Sequence, residues 1–210
     1  MPRTAARKKP SPSFPAGLKT VTIPGEAKLY RVHLAAHDPI WFGPAPGAPP
    51  AYRFDAPAGQ HGTLYVAAAL AGAFAETIAR QARRRIIGVD YVALRSYSTI
   101  AATRPLTLAK LHGNGLLWYG VDAAIAAAAS YKKSRKFALR IHDGFPTIDG
   151  IAYRARHDND EICYALFERC AKAITVVGTP TAFSSMMPQV ETILSQYGIT
   201  LDTAPGVPHP

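Results

Sequence analysis

The sequence has few cysteines, few acidic residues and no long apolar run. Its two cysteines, Cys163 and Cys170, lie seven positions apart, without a Cys-x-x-Cys spacing and without a histidine at a ligand interval. This pattern argues against a disulfide-stapled scaffold and implies no metal site, and we expect both thiols to be reduced and buried. The longest apolar stretches, residues 66–75 and 121–129, are too short to span a bilayer.

The scarcity of acidic residues leaves the chain strongly basic. Lysine and arginine total 24 against 14 aspartate and glutamate residues, which gives a formal net charge of +10. Five basic residues precede the first acid, Glu26, in a segment rich in proline and serine: Arg3, Arg7, Lys8, Lys9 and Lys19. We expect residues 1–25 to be a disordered basic arm. Nucleic acid would bind only weakly, through this arm, because no nucleic-acid-binding motif accompanies the charge.

Two further basic runs, at residues 83–85 and 132–136, have two interpretations. Basic residues late in a helix complement the helix dipole, and they also attract anionic partners. The sequence leaves both open. No apolar segment of the kind that follows a secretory start is present after the basic arm, so we expect a soluble, cytoplasmic protein with no membrane partner.

The remaining sequence predicts one α+β domain over residues 26–202, followed by a flexible proline-rich tail at 203–210. Hydrophobic residues make up 48% of the chain, which is enough for one core. Strand and helix patterns are interspersed without strict βαβ alternation, which favours a mixed sheet. The predicted strands are 28–34, 52–54, 63–67, 91–103, 106–111, 150–153, 161–167 and 174–178. The predicted helices are 68–85, 121–129, 131–141 and a last helix around 188–197, with a loop at 38–50 and a turn at 112–115.

Residues 52–76 are the centre of the predicted organisation, because they place Arg53, Tyr65 and Glu76 on consecutive elements. In one interpretation, Arg53 holds an anion, Tyr65 stacks on a ring and Glu76 stabilises a developing positive charge. In the other, Arg53 is a surface cation, Tyr65 is a core aromatic, and Glu76 forms an i,i+4 pair with Arg80. Arg31, on the strand 28–34, is a second candidate anion ligand or a solvated cation. Spacing alone does not choose between these interpretations.

Several short motifs occur in an order that resembles the RES domain family. They are Leu29-Tyr30-Arg31-Val32, Arg53-Phe54, Leu64-Tyr65, Ala75-Glu76, and Asp149-Gly150-Ile151 with Tyr153. The resemblance covers about residues 27–185. It implies a single mixed-sheet domain with flanking helices, similar to the ADP-ribosyltransferase fold, and an enzyme that degrades NAD.

The resemblance places the family arginine at Arg53, its tyrosine at Tyr65 and its glutamate at Glu76. The family serine is absent: where members usually have Gly-Ile-x-Tyr-x-Ser-Arg, this chain has Ala155 at the serine position. Alanine has no hydroxyl, so it can neither hydrogen-bond a substrate oxygen nor act as a nucleophile. One implied alternative is therefore a catalytically weakened domain that binds a nucleotide or a protein.

The implied reaction is hydrolysis or phosphorolysis of the nicotinamide–ribose bond of NAD. Glu76 would be catalytic, while Arg31, Arg53 and Tyr65 would bind the substrate. NAD would be a substrate and no cofactor would be needed, with phosphate as the co-substrate if the reaction is phosphorolysis; the sequence also has no Gly-x-Gly-x-x-Gly turn of hydride-transferring enzymes. The resemblance further implies a toxin paired with a helix-turn-helix antitoxin. A homo-oligomer is left open.

Overall fold

The computed structural model describes residues 17–45, 47–80 and 85–204. In these residues the strands are β1 Thr20–Ile23, β2 Lys28–Leu34, β3 Thr63–Ala67, β4 Ile86–Gly88, β5 Arg95–Ala102, β6 Leu106–Leu111, β7 Gly150–Arg154, β8 Ile162–Phe167, β9 Ile174–Ala182 and β10 Thr200–Asp202. The helices are α1 Leu70–Thr77, α2 Val89–Ala93, α3 Asn114–Trp118, α4 Ala124–Ala127, α5 Lys132–Gly144 and α6 Met187–Gln196. Two 3-10 turns, Glu168–Ala173 and Phe183–Ser185, flank β9.

The strands form one large mixed sheet, in the order β1-β6-β7-β8-β3-β2-β5-β9. The β6–β7 pair is parallel and the other neighbours in this sheet are antiparallel. A separate two-stranded parallel sheet joins β10 to β4. The prediction of an α+β fold with one mixed sheet and flanking helices is therefore confirmed.

Alternating side chains build a core on each face of the large sheet. On β3, Leu64 and Val66 belong to one apolar cluster, whereas Ala67 belongs to the other. The larger cluster includes Phe74 of α1, Ile141 of α5 and several residues of α6, so these helices cover that face. The smaller cluster is closed by the loop residues Ile40 and Phe42 and by the turn that follows β8. Successive residues on a strand point to opposite faces, which explains how one strand supplies both cores.

Several strands were predicted with their observed bounds. These are β2, β3 and β6, and β7, β8 and β9 begin within one residue of the prediction. The last helix, with Pro188 in its first turn, is also confirmed as α6, and it is followed by Gly198 with a φ of 62°. These segments have a clear periodicity of apolar residues and residues that end a strand or helix locally. The local pattern and the tertiary packing therefore favour the same structure.

The predicted strand at residues 52–54 is wrong, because this segment is a turn. The carboxylate of Asp55 accepts hydrogen bonds from the backbone N–H groups of Ala51 and Tyr52, at 2.8 and 2.6 Å. These bonds fold the chain back on itself in the manner of aspartate-centred turns. Arg53 therefore lies in a turn and not on a strand.

Several other predicted elements differ from the observed ones in their bounds. Helix α1 ends at Thr77, because the chain turns there to bury Ile78 and Ala79, and residues 81–84 of the predicted helix lie outside the described part. The predicted strand 91–103 begins inside α2, and β5 begins only at Arg95; the predicted turn 112–115 contains the start of α3. The alanine-rich helix is reduced to α4, while α5 extends to Gly144.

The predicted arm of residues 1–25 includes residues that the structure places in the sheet. Strand β1 pairs antiparallel with β6, and the backbone oxygen of Lys19 accepts a hydrogen bond from Lys110 N at 2.9 Å. Val21 and Ile23 pack toward the smaller core cluster, which is why this segment joins the edge of the sheet. Residues 1–16 and 205–210 lie outside the described part. None of the helices in the described ranges is long and apolar enough to cross a membrane.

Candidate functional site

A cleft of about 190 Å³ brings together the four residues singled out from the sequence, Arg31, Arg53, Tyr65 and Glu76. Strand β2 supplies the first, the turn at residues 52–55 the second, β3 the third and the last turn of α1 the fourth. Because β2 and β3 are neighbours and α1 directly follows β3, the chain's connectivity alone positions three of them on one wall.

Arg53 is held in the cleft wall by contacts distant in sequence. Its side chain donates from Nη1 to the backbone oxygen of Ala128 at 2.9 Å, and its guanidinium lies 4.5 Å from the ring centroid of Tyr131. Only 7% of Arg53 is exposed. Burial lowers the pKa of Arg53, and the nearby Arg156 guanidinium lowers it too, whereas Tyr131 and Glu76 favour the charged form.

Tyr65 presents its ring, and not a free hydroxyl, to the cleft. Its hydroxyl donates to Asp55 Oδ1 at 2.9 Å and accepts from the backbone N–H of Phe54 at 2.8 Å. Burial raises the pKa of Tyr65 well above its ordinary value, and the neighbouring Asp55 charge raises it further. The hydroxyl is therefore protonated and engaged. Tyr52 packs edge-on against the Tyr65 ring, with centroids 5.5 Å apart.

Asp55 joins the two sides of this arrangement. It is fully buried, and its two oxygens receive the hydrogen bonds from Ala51, Tyr52 and Tyr65. On the outer side of the turn, Arg135 of α5 donates to the backbone oxygen of Tyr52 at 3.0 Å and to that of Pro50. The turn that carries Arg53 is thus fixed from both sides.

Glu76 offers a carboxylate that is half-buried and only partly occupied. Its Oε1 accepts a hydrogen bond from the backbone N–H of Arg156 at 2.7 Å. In the described part of the chain, its Oε2 has no hydrogen-bond partner and Glu76 forms no ion pair with Arg80. The i,i+4 pairing considered from the sequence does not form, because α1 ends before Arg80.

Arg31 lies where the cleft meets a second cavity of about 640 Å³. Its guanidinium donates to the backbone oxygens of Pro39 and Asp38. Burial lowers the pKa of Arg31 to about 10. Trp41 lines both cavities with 49% of its surface exposed, so it is a wall of the site and does not anchor its loop in the core as a buried aromatic would.

Ala155, at the family serine position, is 4% exposed and belongs to the larger apolar cluster. Its backbone N–H donates to the oxygen of Glu161 at 3.0 Å. The neighbouring residues Tyr153 and Arg156 line the cleft, whereas Ala155 is not among the lining residues in the described part. The departure from the family therefore lies beside the site and beneath its surface.

Sequence reasoning missed the residues that hold the site in place. Neither Asp55 nor Arg156 stands out in the sequence, because the hydrogen bonds of Asp55 with Tyr65 and of Arg156 with Glu76 depend on the fold. Tyr131 follows an alanine-rich segment and gave no signal, since its contact with Arg53 depends on the packing of α5. Among the described residues, no group of three or more histidine, cysteine, aspartate or glutamate side chains could hold a metal ion.

Comparison with known proteins identifies the family. The sequence profile of the RES domain matches residues 28–185, which is most of the chain, and the protein belongs to the RES domain family. A search of curated protein sequences gives no match.

Among solved structures, the fold is similar to a chain of the M. tuberculosis MbcT-MbcA toxin-antitoxin complex. The TM-score is 0.60 and the sequence identity is 13%. The similarity covers 80% of this chain and 90% of the other. At that identity the likeness establishes a shared fold.

Proposed function

We propose that the protein is an enzyme that cleaves the nicotinamide–ribose bond of NAD. The observation that carries this proposal is Glu76, a half-buried carboxylate in a cleft that also contains Arg53. One of its oxygens is fixed by Arg156 N, and the other has no hydrogen-bond partner among the described residues. Membership of the RES domain family supports it, because the family resemblance implies NAD degradation.

In the proposed reaction, the bond between ribose C1′ and the nicotinamide ring nitrogen breaks, and its electron pair leaves with the neutral nicotinamide. The ribose then carries oxocarbenium-like positive charge, which the Glu76 carboxylate stabilises. An oxygen of phosphate or water forms the new bond to C1′ on the side opposite to the departing ring or on the same side, and the water proton, if water reacts, passes to solvent.

Two arginines bind the negatively charged pyrophosphate in this proposal. Arg53 and Arg31 are desolvated, and each donates hydrogen bonds to neutral backbone oxygens. Because neither forms an ion pair in the described residues, their positive charges are available to phosphate oxygens. Charge-assisted bonds of this kind fix position as well as affinity. The ring of Tyr65 packs against the substrate, because its hydroxyl is engaged with Asp55 and Phe54.

Incubation of the purified protein with NAD, with and without phosphate, tests this function. Release of nicotinamide supports cleavage, and the second product identifies the acceptor: ADP-ribose for water, or its 1″-phosphate for phosphate. No nicotinamide release under either condition contradicts the enzymatic function. If NAD still binds under those conditions, the alternative of a non-catalytic nucleotide binder, suggested by Ala155, replaces it.

We also propose that the protein is the toxin of a toxin-antitoxin pair, with a helix-turn-helix protein as the antitoxin. The fold shared with a chain of a toxin-antitoxin complex supports this role. Expression in a bacterial host should deplete NAD and stop growth, and a Glu76→Gln variant made at the same level should not. Unchanged growth and unchanged NAD would contradict a toxin function.

A further inference from the structure

The cleft continues into the second cavity, and the two share a wall. Arg31, Trp41, Tyr52 and Arg80 line both. Glu76 lines the first cavity only, so the reacting end of a substrate belongs there. The second cavity is the larger of the two, at about 640 Å³, and therefore has room for the other half of a dinucleotide.

Three desolvated arginines follow one another along this joined space. Arg53 lines the first cavity, Arg31 lines both, and Arg95 lines the second. Burial lowers the pKa of all three side chains. In the described part of the chain, the ion pairs are Arg104–Asp149, His142–Asp143 and His142–Glu168, so none of the three arginines has a carboxylate partner.

A buried charge without a counter-charge is costly, and an anionic ligand would offset that cost. The pyrophosphate of a dinucleotide accounts for Arg53, which lines the first cavity with Glu76, and for Arg31 in the shared wall. Arg95 is left over. It stacks 3.6 Å from the ring centroid of Tyr91 and donates to the Tyr91 backbone oxygen, which holds the guanidinium in place in the wall of the second cavity.

The shared wall also offers exposed aromatic surface. Trp41 and Tyr52 are among the most exposed large aromatic side chains in the described residues, with 49% and 42% of their surface accessible. Exposed rings beside cations suit a nucleoside, because a base stacks on the ring while its phosphates meet the cations. Asp38 is the acidic residue that lines the second cavity in the described part, and it is exposed.

We infer that the second cavity binds an adenosine half that carries an additional phosphate on its ribose, with Arg95 as the ligand of that phosphate. The substrate class would then include NADP, the 2′-phosphorylated form of NAD. This inference rests on the proposed function, because it takes the cavity of Glu76 as the nicotinamide end. The same C1′–nitrogen bond breaks in both dinucleotides, and the 2′-phosphate takes no part in the chemistry.

A kinetic comparison of NADP and NAD on the full chain tests the inference. We expect kcat/KM to be about tenfold higher for NADP, which is the effect of about one additional charge-assisted contact. Arg95→Gln should lower kcat/KM for NADP by about tenfold and that for NAD by much less, so that the advantage disappears. Equal values for the two dinucleotides in the unsubstituted protein would overturn the inference, and so would an equal fall for both in Arg95→Gln.

Arg169→Gln is the matched control. Like Arg95, Arg169 is half-buried, donates to backbone oxygens and lies near an aromatic ring, here Phe167 at 5.6 Å. It lines neither cavity. The NADP preference should survive this change; its loss there would mean that general destabilisation, and not a phosphate contact, controls the preference.

Binding to the unsubstituted protein separates this inference from the proposed function. Calorimetry should show adenosine 2′,5′-bisphosphate binding about tenfold more tightly than adenosine 5′-monophosphate. Equal affinities would overturn the phosphate subsite even if NAD is cleaved. Tighter binding of the bisphosphate without cleavage of either dinucleotide would support the subsite and contradict the enzymatic function.

Discussion

Arg104 and Arg53 are two arginines of this fold with opposite environments. Arg104 forms two parallel hydrogen bonds with Asp149, at 2.7 and 2.9 Å, and Asp149 also accepts from the backbone N–H of Thr107. The bond to Asp149 raises the pKa of Arg104. Arg53 is more buried, yet it contacts a backbone oxygen and a tyrosine ring and no carboxylate in the described part of the chain.

The difference separates a structural cation from one available to a ligand. The charge of Arg104 is neutralised within the protein, and the pair fixes β6 to the segment before β7. The charge of Arg53 is held in place without an ion pair in the described residues, although Glu76 favours its charged form, so it stays available to an anionic ligand. The same contrast applies to Glu76, whose carboxylate lines the cleft and forms no ion pair in the described residues.

The largest expected effect is that of Glu76→Gln on NAD cleavage. Loss of the carboxylate charge removes the group that stabilises the positive ribose, and we expect kcat to fall by about 100- to 1,000-fold. The amide oxygen can still accept the bond from Arg156 N, so the unfolding temperature should stay nearly unchanged. Nicotinamide release and thermal unfolding measure the two effects.

Glu161→Gln is the matched control for that substitution. Glu161 is also half-buried and lies close to α1 at Gly72, but it does not line the cleft. Its substitution should leave kcat unchanged within about twofold. If Glu76→Gln retained full kcat in a folded protein, the carboxylate would have no role in the chemistry.

Next in size is a paired change, Arg53→Gln and Arg104→Gln, which acts directly on the contrast between the two arginines. Arg53→Gln should raise KM for NAD by about tenfold or more, because charge-assisted bonds to phosphate are lost. The free energy of unfolding of this variant should stay nearly unchanged, because the substitution also removes a charge that is costly to bury. Arg104→Gln should leave KM unchanged and cost about 1–3 kcal/mol of stability, because buried Asp149 loses its counter-charge.

Michaelis constants and denaturant unfolding measured on both variants decide this prediction. If Arg53→Gln destabilised the protein as much as Arg104→Gln and left KM alone, Arg53 would be a structural cation like Arg104. The distinction between the two environments would then carry no functional meaning.

A smaller effect is expected from Asp55→Asn, which loosens the support of Arg53 without touching the cleft. Asparagine offers one acceptor oxygen in place of two, so either the bonds to Ala51 and Tyr52 or the bond to Tyr65 must change. We expect KM to rise by less than about tenfold with kcat little changed, because Arg53 is displaced but keeps its charge while Glu76 is intact.

Asp122→Asn controls for the loss of an aspartate that accepts a backbone hydrogen bond, since Asp122 Oδ1 accepts from Ala124 N on the surface. Asp122→Asn should change neither KM nor kcat. A fall in kcat of Asp55→Asn with constant KM would mean that Asp55 acts on the chemical step and not on the placement of Arg53.

The sequence predicted best the segments whose structure depends on local pattern. Strands β2, β3 and β6 were found with their bounds, because their β-branched and aromatic residues and flanking turn residues agree with the fold. The predicted strand at 91–103 failed at its start, where α2 forms instead and its buried Val92 joins the larger core cluster. At that point the packing of Val92 in the core decides the structure, and the local strand propensity does not.

The site was predicted in part for the same reason. Arg31, Tyr65 and Glu76 lie on neighbouring elements, so motif order was enough to group them. Arg53 reaches the cleft through Ala128 and Tyr131, which are 75 and 78 positions away in sequence, and no local pattern encodes those contacts. Arg95 was hidden in a predicted strand, because its place beside the second cavity depends on the pairing of β5 with β2.

The smallest expected effect is that of Ala155→Ser, at the position where this chain departs from its family. Arg53, Tyr65 and Glu76 line the cleft without help from residue 155, which is buried in the apolar cluster beside Tyr153. We therefore expect weak but measurable NAD cleavage in the unsubstituted protein. A serine hydroxyl would add at most about one neutral hydrogen bond, worth about 0.5–1.5 kcal/mol, so kcat/KM should rise by no more than about tenfold.

Ala173→Ser provides a control of similar burial, because Ala173 lies in the smaller apolar cluster, away from the cleft. Nicotinamide release by both variants, compared with the unsubstituted protein, separates an effect of the hydroxyl at 155 from a general effect of burying a polar group. A rise far above tenfold in Ala155→Ser alone would mean that the hydroxyl takes a direct part in the chemistry, since groups that act together in catalysis are each worth several orders of magnitude. The chain with Ala155 would then be a nucleotide binder whose cleft retains the arginines and the glutamate but has lost turnover.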